Sequence, residues 1–137
     1  MMAGGSPEWV PVENVVDVVC GRWWEGVRLP TFVGLRVLSR LRERSGPVIE
    51  DRVAESMTWL VRVGAAEGWE RLAPGTHVLR AGWEIAVPPV GCVGGPWEGG
   101  ASLRWLSRPT ATCLTHPPDL LDALRHVLPG GTGAARA

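Results

Sequence analysis

A chain of 137 residues with 14 basic and 14 acidic side chains carries no net charge, so no global field draws it to nucleic acid or an anionic membrane. Its length suits one domain with a single core, and no apolar run approaches the roughly 20 residues that span a bilayer. Three cysteines at wide spacing (Cys20, Cys92, Cys113) imply no disulfide framework, so a reducing cytoplasm is the expected location.

Every basic residue apart from the histidines is arginine, tyrosine is absent and phenylalanine occurs once. Lysine, asparagine, tyrosine and phenylalanine have AT-rich codons, so the skew reports a GC-rich genome more than a taste for phosphate. Eight tryptophans then supply nearly all the aromatic bulk, and core packing is the expected role of most.

In chain order, residues 1–21 form an acidic, partly disordered extension with Glu8, Glu13 and Asp17 and no base. MMAGGSP reads as a leader and VENVVDVV as a short helix or an edge strand. Val15–Cys20 is broken by Asp17 and has no basic region before it, so it is not read as a signal peptide. The patterned domain is expected to span 22–128, followed by a disordered tail at 129–137.

WWEGVRLP reads as a strand with Val27 and Leu29 on one face and Trp24 and Arg28 on the other. Pro30 suits an early helix position, and TFVGLRVLSRLRER follows with Leu35, Leu38 and Leu41 as its apolar stripe, widened by Phe32 and Val37. Ser45-Gly46-Pro47 ends it. VIED is a short strand. Ser56–Val63 is a longer one that alternates Met57, Trp59, Val61 and Val63 against Thr58, Leu60 and Arg62.

AAEGWERLAPG reads as a helical turn, Thr76–Ala81 as extended, and Gly82 as a bulge ahead of a strand at Trp83–Pro88. GCVGGPWEGG is a glycine-rich loop with Trp97 at its tip, and SLRWLS returns as the last strand. HPPDLLDALRHVL is an amphipathic helix with Leu121, Leu124 and Leu128 inward. Together these predict an α+β single domain. It has a mainly antiparallel or mixed sheet of about five strands, with two amphipathic helices packed on one face. Burying Trp59, Trp83 and Trp105 would contribute roughly 1.5–3 kcal/mol each.

Four features are candidates for chemistry. Arg36, Arg40 and Arg44 recur every four residues along one helix face, inside a segment (22–44) of net charge +4. Residues 45–70 carry net −3, so Glu50, Asp51 and Glu55 are the expected internal partners, and phosphate is the alternative. Cys113 and His116, with Cys92 and His77, lack the paired spacing of a zinc site, so no metal or other cofactor is expected. Asp119, Asp122 and His126 share a face of the last helix, where acid–base work competes with simple complementarity to the helix dipole. Cysteine–histidine nucleophilic pairing has no supporting sequence context, and Gly91–Gly100 is not a P-loop because no Lys-Ser/Thr follows.

The run PGTHVLRAGWEIAVPP, a glycine-rich gap and LRWL, over Gly75–Leu106, resembles the late strands of the bifunctional primase/polymerase N-terminal domain. In that family an extended segment ends in V-x-PP and a glycine-rich loop leads to R-W-L. Residues 23–128 as a whole also look like small actinomycete proteins. The polymerase family uses closely spaced metal-binding aspartates; this chain has no D-x-D pair, and the adjacent Glu50 and Asp51 point to opposite faces of a strand. The resemblance therefore implies a shortened, non-catalytic relative, and no catalytic residue carries over.

The expected function is a non-enzymatic cytoplasmic binding or regulatory module that contacts its partner through Arg36, Arg40, Arg44 and Trp97. The partner is a protein or a nucleic acid, not a membrane. The alternatives are a degenerate primase/polymerase-like nucleic-acid binder and a small enzyme using Cys/His or Asp/His chemistry.

Overall fold

Ser56–Val61 is buried from end to end, because both faces of this strand are covered. The computed structural model describes residues 7–94, 101–109 and 114–128. In chain order they form strands β1 (Val16–Val19) and β2 (Glu25–Pro30), helix α1 (Thr31–Leu41), a 3-10 turn at Arg42–Arg44, and strands β3 (Val48–Asp51) and β4 (Ser56–Val61). A one-turn helix α2 (Trp69–Leu72), strands β5 (His77–Leu79), β6 (Glu84–Val87) and β7 (Leu103–Ser107), and helix α3 (Pro117–Val127) complete them.

The main sheet has the order β5-β2-β4-β3-β7, with every neighbouring pair antiparallel. The two-residue period assigns its faces. Val27, Leu29, Val48, Met57, Trp59, Val61 and Val78 point to one side, where α1 and α3 close the core. Ile49, Leu60, Leu79 and Trp105 point to the other and pack with Cys20, Trp24, Ile85 and Val87. The fold is thus α+β, with two helices on one face of a five-stranded antiparallel sheet, as the pattern predicts. The opposite face carries a separate two-stranded sheet of β1 and β6.

That second sheet corrects several expectations. Of the two readings of VENVVDVV the edge strand holds: Val16–Val19 pairs with β6 in the register Val16↔Val87 to Val19↔Glu84. Val10 and Cys20 are buried, and Trp9 packs edge-on against Trp24 at 5.4 Å. The packed domain thus begins well before Arg22. The strands at Ser56 and Trp83 lie in different sheets. Trp59 and Trp105 are fully buried, but Trp83 is 48% exposed and meets His77 edge-on at 5.1 Å. Gly82, expected as a bulge, sits at φ 104° in a tight turn closed by Trp83 N–H on Arg80 O at 3.1 Å.

The α1 stripe is rotated from the one expected. In α1 the buried residues are Val33, Gly34, Val37 and Leu41, while Leu35 and Leu38 are half-buried and Phe32 is 73% exposed. Gly34 explains the phase: a Cβ there would lie 2.6 Å from Met57 Sδ, so the helix approaches the sheet along its glycine. In α3, Leu124 and the following Leu128 are buried as expected, Leu120 and Ala123 join them, and Leu121 is half-buried. The expected tail (129–137) and residues 1–6 of the leader lie outside the described residues. No helix among the described residues is long and apolar enough to cross a membrane.

Candidate anion-binding groove

Helix α1 turns its apolar stripe to the sheet, which leaves Arg36 and Arg40 exposed one turn apart. The α-helix stops at Leu41 because Arg42 adopts φ 55° and ψ −129°, a conformation that L side chains rarely take. The 3-10 turn that follows places Arg42 beside the same face. Leu35, Arg36, Ser39, Arg40 and Arg42 from this side, with His126 and Val127 from the end of α3, line an open groove of about 590 Å³.

The stripe is not neutralised as the sequence suggests. Glu50 lies under the helices and receives Arg104 Nε at 3.0 Å and Arg52 Nε at 3.7 Å. Asp51 Oδ1 accepts the Ala54 N–H at 3.0 Å within the β3–β4 turn. The Glu55 carboxylate has no ion pair among the described residues. Arg44 alone of the stripe finds a carboxylate, Asp119 on α3 at 3.5 Å, and it also donates to Arg40 O at 3.1 Å. Arg44 therefore ties the two helices together. Arg36, Arg40 and Arg42 make no side-chain ion pair or hydrogen bond among the described residues.

The remaining sequence candidates separate. Trp97 and Cys113 lie outside the described residues. His116 sits at the N-cap of α3 without a side-chain capping bond, and His77 meets Trp83 edge-on. Among the described residues no group of three or more His, Cys, Asp or Glu is placed to hold a metal. Of the acidic-helix trio, Asp119 is engaged by Arg44 while His126 joins the arginine groove. Burial pushes the Cys20 thiol up to about 11, although the nearby Arg28 works against this, so it is a poor nucleophile near neutral pH.

Arg42 is the groove residue that sequence reasoning missed. Its side chain belongs there only because of a left-handed backbone, and nothing in RLRERSG announces one at an arginine. The stretch carrying the primase/polymerase resemblance covers β5 and β7, the two edge strands of the main sheet, and β6 of the small one. No protein-family model matches the chain, and no curated protein or solved structure matches it.

Proposed function

We propose that this protein is a non-enzymatic cytoplasmic binding module whose ligand is a phosphate-bearing anion seated between α1 and α3. One observation carries the reading: three guanidinium groups line a single groove, and none has a carboxylate partner among the described residues. Clustered like charges repel, so the groove is electrostatically unfavourable until an anion fills it. Guanidinium forks match phosphate oxygens two at a time, which gives orientation as well as attraction. The groove volume falls within the range of small-molecule sites, so the pull is local although the whole chain is neutral.

The test uses inorganic pyrophosphate and a short single-stranded oligonucleotide, titrated at low salt into the wild type and into Arg36→Ala/Arg40→Ala. Saturable binding of either probe, weakened about tenfold or more in a normally folded double variant, is the expected result. A steep salt dependence confined to the oligonucleotide identifies a nucleic-acid backbone as the ligand, the reading that the primase-like stretch implies. Equal affinity in wild type and double variant would remove the groove from consideration.

A further inference from the structure

A second cleft, where the ends of β2, β4 and β5 meet, carries one cation and one anion without ion-pair partners among the described residues. The register places Arg28 opposite Thr58 and His77, and Pro30 opposite Ser56, so these side chains share the sheet face turned away from α1. The small sheet covers only part of this face: Ile85 Cδ1 sits over Gly26, two residues before Arg28. Beyond it lies a cleft of about 400 Å³ lined by Arg28, Pro30, Ala54, Glu55, Ser56 and His77, among others.

Arg28 is half-buried, and its Nε donates to Thr58 Oγ1 at 3.3 Å. Its two terminal NH2 groups have no partner among the described residues, nor has it an ion pair. The Glu55 carboxylate is likewise unpartnered, and it is held at the rim by its backbone. Thr31 N–H donates to Glu55 O at 3.0 Å, and Glu55 takes φ 56°, a left-handed conformation. Arg104–Glu50 and Arg80–Glu70 show that the fold can bring opposite charges into contact. Here two opposite charges line one cleft without meeting within 4.0 Å.

We infer that this cleft binds a small amino-acid-type zwitterion, with its carboxylate on the Arg28 fork and its ammonium on Glu55. Such a ligand satisfies both groups at once, whereas a simple anion would meet Glu55 as a like charge and a simple cation would meet Arg28. Pro30 and Ala54 supply the apolar wall for a short carbon frame. His77, braced by Trp83, closes the side toward β5. This cleft shares no lining residue with the arginine groove, so substitutions separate the two sites.

The experiment follows amide resonances of the full chain during titration with glycine, β-alanine and γ-aminobutyrate, which space the two charges progressively. Acetate and methylammonium serve as single-charge probes. Saturable shifts around Arg28, Glu55 and His77 are expected with at least one zwitterion, at an affinity about tenfold or more above either single-charge probe. Arg28→Gln and Glu55→Gln should each abolish that advantage, while Arg36→Ala/Arg40→Ala should leave it unchanged. Glu55→Gly deletes the carboxylate at a backbone conformation that suits glycine, so it separates lost binding from lost folding. The inference is overturned by the absence of saturable shifts with every zwitterion. It is equally overturned if acetate binds as well as they do and Glu55→Gln changes nothing.

Discussion

Glu50 on β3 and Arg104 on β7 face each other across the sheet at 3.0 Å, with side chains only 4% and 2% exposed. An ion pair this deep costs much of its Coulombic attraction in desolvation, so it adds little net stability while both partners are present. Removing one partner is another matter. Glu50→Ala takes the carboxylate away from a buried guanidinium and should cost about 3–5 kcal/mol in urea unfolding. Replacing the pair with leucine and methionine should recover a large part of that loss. If Glu50→Ala and the double variant are equally unstable, the cost lies in lost packing and not in the loss of the buried charge–charge contact.

Deleting residues 1–20 should destabilise the domain severely. The deletion removes β1, which is the strand neighbour of β6 among the described residues, and takes Trp9 off Trp24 and Trp105. Buried Val10 and Cys20 go with it, each worth on the order of 1–3 kcal/mol by transferred area. Thermal unfolding of the truncated chain should be broad or shifted far down. A transition at the full-length temperature would mean that the small sheet contributes no net stability.

The sequence period identified β2, β3, β4 and β7 and assigned Val27, Leu29, Met57, Trp59 and Val61 to one face, because alternation is a local property of a strand. It could not reveal the second layer. Thr58 and Leu60 alternate with the core residues as a solvent-facing row would, yet both are buried, since β1 and β6 come from distant parts of the chain to cover them. Helix phase was ambiguous for a similar reason. Leu41 fits a three-residue row with Leu35 and Leu38 and a four-residue row with Val33 and Val37, and only the contact between Gly34 and Met57 selects the second. Half of the groove was legible as Arg36 and Arg40. The pairing of Arg44 with Asp119, and the turn that presents Arg42, depend on tertiary packing that leaves no periodic trace.

Arg42→Gly should raise stability while weakening anion binding. A non-glycine residue at φ 55° and ψ −129° stores about 1–3 kcal/mol, and glycine's extra unfolded-state freedom takes back about 0.5–1. A net gain of roughly 0.5–2 kcal/mol is expected by denaturant melt. Pyrophosphate affinity should fall in the same protein, because one guanidinium leaves the groove. Greater stability with unchanged affinity would leave Arg42 a strained helix end and nothing more.

The acid limb of stability should contain a contribution from Glu70. Its carboxylate receives two hydrogen bonds from Arg80, at 2.8 and 3.1 Å, and this guanidinium holds the Glu70 carboxyl down at about 2. A depressed carboxyl adds stability above its unfolded pKa, near 4.5, and that stability is lost as pH falls toward 2. Both side chains are more than a third exposed, so solvent screening limits the effect to about 0.2–1 kcal/mol. Glu70→Gln should flatten this part of the pH profile and leave pH 7 stability lower by a similar amount. Identical slopes in the two proteins would show that the pair does not persist in solution.

At the alkaline end the relevant group is Cys20, a residue 4% exposed, whose thiol is raised from 9.0 to about 11, chiefly by burial. The unfolded chain ionises this thiol near its ordinary value and the folded chain resists doing so. Stability is therefore fully present below about 9 and declines as pH rises toward 11. Cys20→Ala should remove that decline, at the expense of a small cavity visible at pH 7. The same burial predicts slow chemistry, because the thiolate is the reacting form and Cys20 supplies little of it. Under iodoacetamide at pH 8, peptide mapping should find Cys20 modified about tenfold or more slowly than half-buried Cys92, whose Sγ makes only a 3.4 Å contact with Leu103 O. Comparable rates at the two sites in the folded protein would mean that the small sheet opens often enough to expose Cys20, and the truncation of residues 1–20 should then cost correspondingly little.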